Sequence, residues 1–364
     1  RWFSDSSAIF EASNPDIQQL GGSQKLGKVS LEISNNNWRA VSMKLVKHYE
    51  KQLAKSSGKI TLGISAYGFD INSQEVQKTG LVLKNKLKSS DVSLRLIPNQ
   101  NPALNTATSH HNKLGLSTNK IELLVIKGKT GAIVAESIGA QNITSLARRD
   151  QGRPQRDAFV GMLPPKLAQI MINLAGVKPS EDELLTLLDP FCGTGVVLQE
   201  AMLMGFAVYG SDLSEKMIRY TRDNLNWLQE EYRTSGDWYL HEADATDATW
   251  RQPIDLVVAE TYLGQPFSAP PSKEKLTEVR QNCNNIISNF LRNLATQIKS
   301  GTPVCIAVPA WRDVDGKFTH LPLINQVEKL GYSSQKLRSV SNDQLIYFRP
   351  DQVVARQILL LSRS

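Results

Sequence analysis

From residue 183 onward, short apolar runs alternate with longer stretches of helical periodicity, the pattern of βαβ units that build a parallel sheet. Residues 184–188 read as a buried strand, 194–204 as a helix that starts on a glycine turn, and 206–210 as a second strand. Ser214 is placed to cap a helix running to about residue 228, with Met217, Ile218, Leu225 and Leu228 at helical spacing. Residues 238–240, 254–258 and 304–308 read as three further strands, with a long helix over 273–298 that turns Ile286, Ile287, Phe290, Leu291 and Leu294 inward. Another helix is expected over 322–330, and then 345–348 and 353–361 flank Arg349-Pro350-Asp351. A turn that tight forces those two segments to run antiparallel. A mostly parallel seven-stranded sheet closed by a C-terminal antiparallel hairpin is the α/β arrangement of class I, Rossmann-like, methyltransferases; a plain dinucleotide-binding fold continues in parallel.

The first half is less regular. Residues 60–65, 92–97, 122–126 and 132–137 read as strands and 38–53 and 73–87 as helices, an α+β module. Residues 4–31 precede it and are too few to fold alone, so they read as the tail of a small domain. The expected organisation is therefore residues 1–35 as the remainder of an N-terminal domain, 36–145 as the α+β module, 146–180 as linker and connecting helix, and 181–364 as the catalytic domain.

Charge divides the chain the same way. Lys and Arg outnumber Asp and Glu 23 to 12 over residues 1–176 and are outnumbered 19 to 23 over 177–364, within a net charge of +7. A basic module beside a slightly acidic one suggests a polyanion partner for the first and a small cofactor for the second, against the plainer reading of charge scatter. No apolar run approaches the ~20 residues of a membrane span, and nothing resembles a signal peptide, although the chain opens at Arg1 without a methionine. Cys192, Cys283 and Cys305 have neither metal-ligand spacing nor an even count, and His110-His111 has no third ligand nearby, so no metal is expected and a reducing cytoplasm is the default.

The most informative turn is Asp189-Pro190-Phe191-Cys192-Gly193-Thr194-Gly195, between a strand and a helix. Such a turn aims backbone N–H groups at a ligand. A phosphate loop needs a lysine after Gly195 and a dinucleotide fingerprint a third glycine where Leu198 stands, so both weaken. An acid at the strand end would repel a pyrophosphate, but it suits the ammonium group of S-adenosylmethionine. Asp212, 19 residues after Gly193 and followed by Leu213, ends the second strand where a carboxylate can accept from both ribose hydroxyls. Asp244-Ala245 follows the third strand, where a side chain can read the adenine amino group. Each acid alone reads equally well as a cap or turn residue; the three together at consecutive strand ends point to this cofactor.

After the fourth strand the chain reads Ala259-Glu260-Thr261-Tyr262-Leu263-Gly264. A purine amino group is a poor nucleophile because its lone pair is delocalised, and an acceptor for its protons localises that pair. Glu260 is the candidate acceptor, the carbonyl of Thr261 a second, and Tyr262 a stacking surface, against the plainer reading of an acid that merely ends a strand.

These residues resemble the THUMP-domain methyltransferases that modify the N2 amino group of guanosine-10 in tRNA. The resemblance rests on Leu20-Gly21-Gly22-Ser23-Gln24-Lys25-Leu26, on Asn112-Lys113-Leu114 with Ile121-Glu122-Leu123, and on Arg148-Arg149-Asp150-Gln151-Gly152-Arg153-Pro154 leading into Gly161-Met162-Leu163-Pro164-Pro165-Lys166-Leu167-Ala168. It rests also on the loop at Asp189 to Gly195. It implies a ferredoxin-like N-terminal domain and a THUMP module that grip tRNA. Lys25, Arg148, Arg149, Arg153, Arg156 and Lys166 are then candidate RNA contacts. Asp189, Phe191, Cys192, Gly193, Thr194, Gly195, Asp212, Leu213, Asp244 and Ala245 line the cofactor, and Glu260, Thr261, Tyr262 and Leu263 are catalytic. A small activator subunit is compatible with this and leaves no mark in the sequence. The family pattern after the fourth strand is Asp-Pro-Pro-Tyr-Gly; aligned on Gly264, this chain keeps the acid one methylene longer and lacks both prolines. Amino-group methylation of another RNA or of DNA, and a non-catalytic RNA-binding protein with a degraded site, stay open as alternatives.

Overall fold

The computed structural model describes residues 1–364 except 158–162, 180–182, 252, 339 and 342–343. Gly161 and Met162 of the linker motif lie outside the described residues. The chain divides into two compact units, residues 1–145 and 146–364.

The first unit opens with a two-stranded ribbon, β1 (Trp2–Ser4) and β2 (Ser7–Ala8), followed by β3 (Lys25–Ile33), helix α1 (Trp38–Leu53), β4 (Gly58–Tyr67), α2 (Ser73–Lys86) and β5 (Val92–Leu96). A short α3 (Thr106–His111) and the hairpin β6 (Lys120–Lys127) and β7 (Ala132–Ala140) complete it. The sheet order is β3-β7-β6-β4-β5. The helices are built as their sequences require: Asn37 accepts from the Arg39 N–H at the start of α1, and Asn72 and Glu75 form a reciprocal capping box on α2. Val41, Leu45, Tyr49, Val76 and Leu83 press both helices onto Ile60, Leu62, Ile64, Leu123 and Val125. Residues 25–33, assigned from sequence to a preceding domain, instead pair antiparallel with β7 from Lys25↔Ala140 to Ile33↔Ala132. A nine-residue strand cannot stand alone, and β7 offers it a free edge.

The second unit begins within α4 (Ile143–Gln151), continues with α5 (Pro165–Leu174), and then alternates β8 (Thr186–Asp189), α6 (Val196–Leu203), β9 (Ala207–Asp212), α7 (Glu215–Tyr232), β10 (Trp238–Glu242), β11 (Leu256–Glu260), α8 (Lys273–Ala295) and β12 (Pro303–Arg312). Two-residue β13 (Phe318–Thr319), β14 (Tyr332–Ser334), two-residue β15 (Ile346–Tyr347) and β16 (Val354–Arg363) close the unit. The main sheet order is β10-β9-β8-β11-β12-β16-β14, parallel except for β16, which runs antiparallel to both β12 and β14. α5, α6 and α7 supply the apolar layer on one face; α8 and the segment Pro322–Leu330 supply the other.

The structure corrects three expectations. Pro322–Leu330 is a 3-10 helix. The sixth strand of the sheet is Tyr332–Ser334, too short to show a period of two, whereas the expected hairpin strand is only the two-residue β15 on the same side of β16. Ser214 stands at the N-cap of α7 but makes no side-chain cap; its own N–H is taken by Asp212 at 2.9 Å.

Candidate active site

All parallel strands end at one edge, and the strand order reverses between β8 and β11. In open α/β sheets that crevice is where ligands bind. The loop after β8 fills it. Gly193 and Gly195 adopt φ of 53° and 80°, a left-handed backbone that favours glycine. A Cβ on Gly195 would meet the Thr221 methyl at 2.8 Å, whereas one on Gly193 would meet nothing nearer than 3.9 Å. Gly195 is thus needed for packing, and Gly193 leaves room for a ligand to approach the main chain.

Side chains of α7 pin this loop. The Thr221 hydroxyl donates to the Gly193 carbonyl at 2.7 Å, and the Asn224 amide donates to the Thr194 carbonyl at 2.8 Å. Asn224 also exchanges hydrogen bonds with the main chain of Gln155 in the linker. Neither Thr221 nor Asn224 was singled out from sequence. Their only signal was two polar residues on the inward face of an amphipathic helix, both fully buried.

Three acids converge on the loop. Asp189 is 1% exposed and accepts from the Phe191 N–H at 3.1 Å. Burial raises its carboxyl well above the ordinary value, and the neighbouring Asp212 and Glu260 raise it further. Asp212 accepts from the Gly193 and Ser214 N–H groups, both at 2.9 Å, and burial outweighs these bonds to raise it too. Its oxygens keep further lone pairs able to accept hydrogen bonds. Glu260 ends β11, and its carboxylate is paired with Arg356 of β16. Burial raises the Glu260 carboxyl, against the pull of the guanidinium. Asp244 is exposed and closes its own turn by accepting from the N–H and hydroxyl of Thr246, with Ala245 buried behind it.

The remaining sequence candidates fall around this edge. Leu213 is 70% exposed beside Asp212, an apolar surface free to cover a ring. Phe191 packs edge-on against Phe290 at 5.0 Å, and Thr194 is buried in the loop. Burial lifts the Cys192 thiol far above its ordinary range, so it packs rather than attacks. Thr261 is buried, with its N–H and hydroxyl both given to the Ala307 carbonyl. Tyr262 is 41% exposed and Leu263 half-buried. Arg356 was missed by the sequence reading, although a lone arginine inside the apolar run of β16 was a signal.

The basic candidates need correction. Lys25 is buried in the first unit, donating to Ser65, the Leu104 carbonyl and Glu122, and is not a surface cation. In the second unit, Arg149 is buried on Glu200, Arg153 is 3% exposed, and Arg148 pairs with Glu231. Only Arg149 is held by burial against an acid; the exposed Arg148 makes a surface pair, and the Arg153 guanidinium is buried with no hydrogen-bond partner among the described residues. Arg156 is exposed and Lys166 half-buried. Exposed cations of the first unit gather on its helices: Arg39, Lys44, Lys47 and Lys51 on α1, and Lys78, Lys84 and Lys86 on α2. Among the described residues no cluster of three metal-ligating side chains occurs, and no helix is long and apolar enough to cross a membrane.

Residues 153–323 match a protein family described as UPF0020, the RMKL-like methyltransferase domain. That match falls within the second unit. Among curated proteins, the tRNA (guanine(10)-N2)-dimethyltransferase of Methanothermobacter thermautotrophicus is 33% identical over 168 residues, 46% of this chain and 45% of that protein. The protein of the same name from Pyrococcus abyssi is 36% identical over 117 residues, 31% of this chain and 32% of its own length. These matches thus span less than half of either relative. The crystal structure of TrmN from Thermus thermophilus superposes with a TM-score of 0.51 at 16% identity, covering 98% of this chain and 88% of that one. That likeness is one of fold. The second unit has the mixed α/β sheet that the sequence pattern predicts, and the loop and strand-end acids sit at the edge where its parallel strands end.

Proposed function

We propose that this protein transfers a methyl group from S-adenosylmethionine to the exocyclic N2 amino group of a guanosine in tRNA, at position 10 as in its named relatives. One observation carries the reading: Asp189, Asp212 and Glu260 meet at the C-terminal edge of the sheet around a loop whose glycine leaves room for a ligand. Buried acids raise one another's pKa, so this edge is suited to a cation. S-adenosylmethionine supplies a sulfonium and an ammonium group, and its methyl is the one transferred.

The chain's own residues then divide the work. Asp189 faces the ammonium group, Asp212 holds the ribose hydroxyls and Asp244 reads the adenine, with Leu213 against the ring. Glu260 accepts a hydrogen bond from the guanine amino group, which localises the nitrogen lone pair toward the methyl. As the N–C bond forms and the C–S electron pair returns to sulfur, the nitrogen becomes cationic. Its proton is then strongly acidic, so even a weak carboxylate base such as Glu260 takes it and passes it to water. Tyr262 is exposed where a base could stack. The lysine-rich outer faces of α1 and α2 in the first unit, which we read as part of a THUMP module, suit a phosphate backbone.

Incubating the protein with S-adenosylmethionine and unmodified tRNA, then digesting the RNA for mass analysis, tests this reading. N2-methylguanosine is expected, and Glu260→Ala removes it. A methyl group on any other nucleoside, or cofactor binding with no transfer, overturns it; the second outcome is what an RNA-binding protein with a degraded site would give.

A further inference from the structure

The proposed acceptor carboxylate lies in a hostile place. Glu260 ends β11 on the sheet face shared by Leu256 and Val258, with a side chain only 14% exposed. A second buried carboxyl, Asp189, ends the adjacent strand β8, and Glu260 raises it. An isolated carboxylate there would take up a proton and lose its capacity to accept from an amino group.

Arg356 answers this. It enters from β16, the reversed strand, whose residues Ile358 and Leu360 line the same face, and its guanidinium donates through Nε to Glu260 Oε1. Its side chain is 8% exposed, and β12 separates β16 from β11 in the sheet, so the pair spans an intervening strand. A strand in the parallel direction would present its last residues at this edge; only a reversed strand brings its early residues here. The pairing engages Oε1, leaving the second oxygen to the substrate.

We propose that Arg356 is the positioning residue of the active site: it keeps Glu260 ionised and fixes which oxygen faces the amino group. This rests on the reading of Glu260 as the amino-group acceptor. Among the described residues, the charged group bonded to Glu260 is Arg356 from β16, which favours the carboxylate against its burial, while Asp189 from β8 is the neighbouring acid whose own carboxyl Glu260 raises.

The test compares wild type, Arg356→Lys and Arg356→Gln in single-turnover methyl transfer to tRNA between roughly pH 6 and 9, with the melting temperature and cofactor affinity measured alongside. The glutamine variant is expected to lose about tenfold to a hundredfold near pH 6.5, with most of the loss recovered near pH 9, because its Glu260 binds a proton more tightly. Lysine, which restores charge, rescues the profile. A wild-type pH profile in Arg356→Gln, or an equal loss at every pH that lysine does not rescue, overturns the proposal. Carboxyl NMR titration of Glu260, assigned by its absence in Glu260→Gln, reads the same point without substrate. An upward shift in Arg356→Gln is expected there and an unchanged titration overturns it. This shift in Arg356→Gln together with a wild type that methylates no tRNA contradicts the tRNA reading alone.

Discussion

Each unit contains a buried ion pair in which a cation meets a glutamate about a hundred residues away: Lys25 with Glu122 in the first, Arg356 with Glu260 in the second. They differ in what else surrounds the charges. Lys25 donates to Ser65, to the Leu104 carbonyl and to Glu122, and the two side chains are 5% and 0% exposed. Ser65 adds its own hydroxyl to Glu122 at 2.6 Å. That pair is sealed between strands of one sheet, both donors on Oε1 and the second oxygen of Glu122 buried without a hydrogen-bond partner. The second pair lies at the ends of strands, with Glu260 partly open and the exposed Tyr262 two residues on. A charge pair sealed inside a sheet holds a fold together; one at the strand ends, with its carboxylate partly exposed, is open to chemistry.

The contrast predicts opposite consequences for breaking each pair. Lys25→Met strands the Glu122 carboxylate inside the first unit and is expected to cost about 3–5 kcal/mol of that unit's stability in urea unfolding. The same variant leaves cofactor affinity of the second unit unchanged, and an unchanged unfolding curve would remove the distinction. Glu260→Gln, by contrast, is expected to lower methyl transfer by about a hundredfold or more while melting within a few degrees of wild type.

A third variant sharpens the account of the strand-end acids. Asp189 has a folded pKa raised above the ordinary carboxylate value of 3.8. Between the unfolded and folded values the folded state binds the extra proton, so stability falls as pH rises through that window. Asp189→Asn is therefore expected to raise the melting temperature of the ligand-free protein at neutral pH. The gain shrinks as pH falls toward about 4, and cofactor affinity drops about tenfold or more. A variant that melts lower at neutral pH and binds cofactor normally would contradict the buried-acid argument. The smallest effect expected is on the first unit's surface. Replacing Lys44, Lys47 and Lys51 by serine should reduce the salt slope of tRNA binding by about one for each phosphate no longer neutralised, whereas no change would move the interface elsewhere.

Local pattern made most of this legible and long-range pairing hid the rest. The β8 to α6 turn, the acids at Asp189 and Asp212 and the helices α1, α2 and α8 follow from spacing within a few residues. Tyr332–Ser334 was missed because three residues carry no period, and its place in the sheet is set by pairing with residues 361–363. Lys25 read as an RNA contact because nothing near it in sequence shows Glu122, and Glu260 read as a free acid because Arg356 lies 96 positions away. The linker arginines look like a basic patch until Glu200 and Glu231 are brought beside them.

The central claim is tested most directly by methyl transfer to two transcripts of one tRNA that differ only at position 10, guanosine in one and inosine in the other. Inosine lacks only the N2 amino group. Transfer to the guanosine transcript and none to the inosine transcript is the result expected, and equal labelling of both would contradict the account.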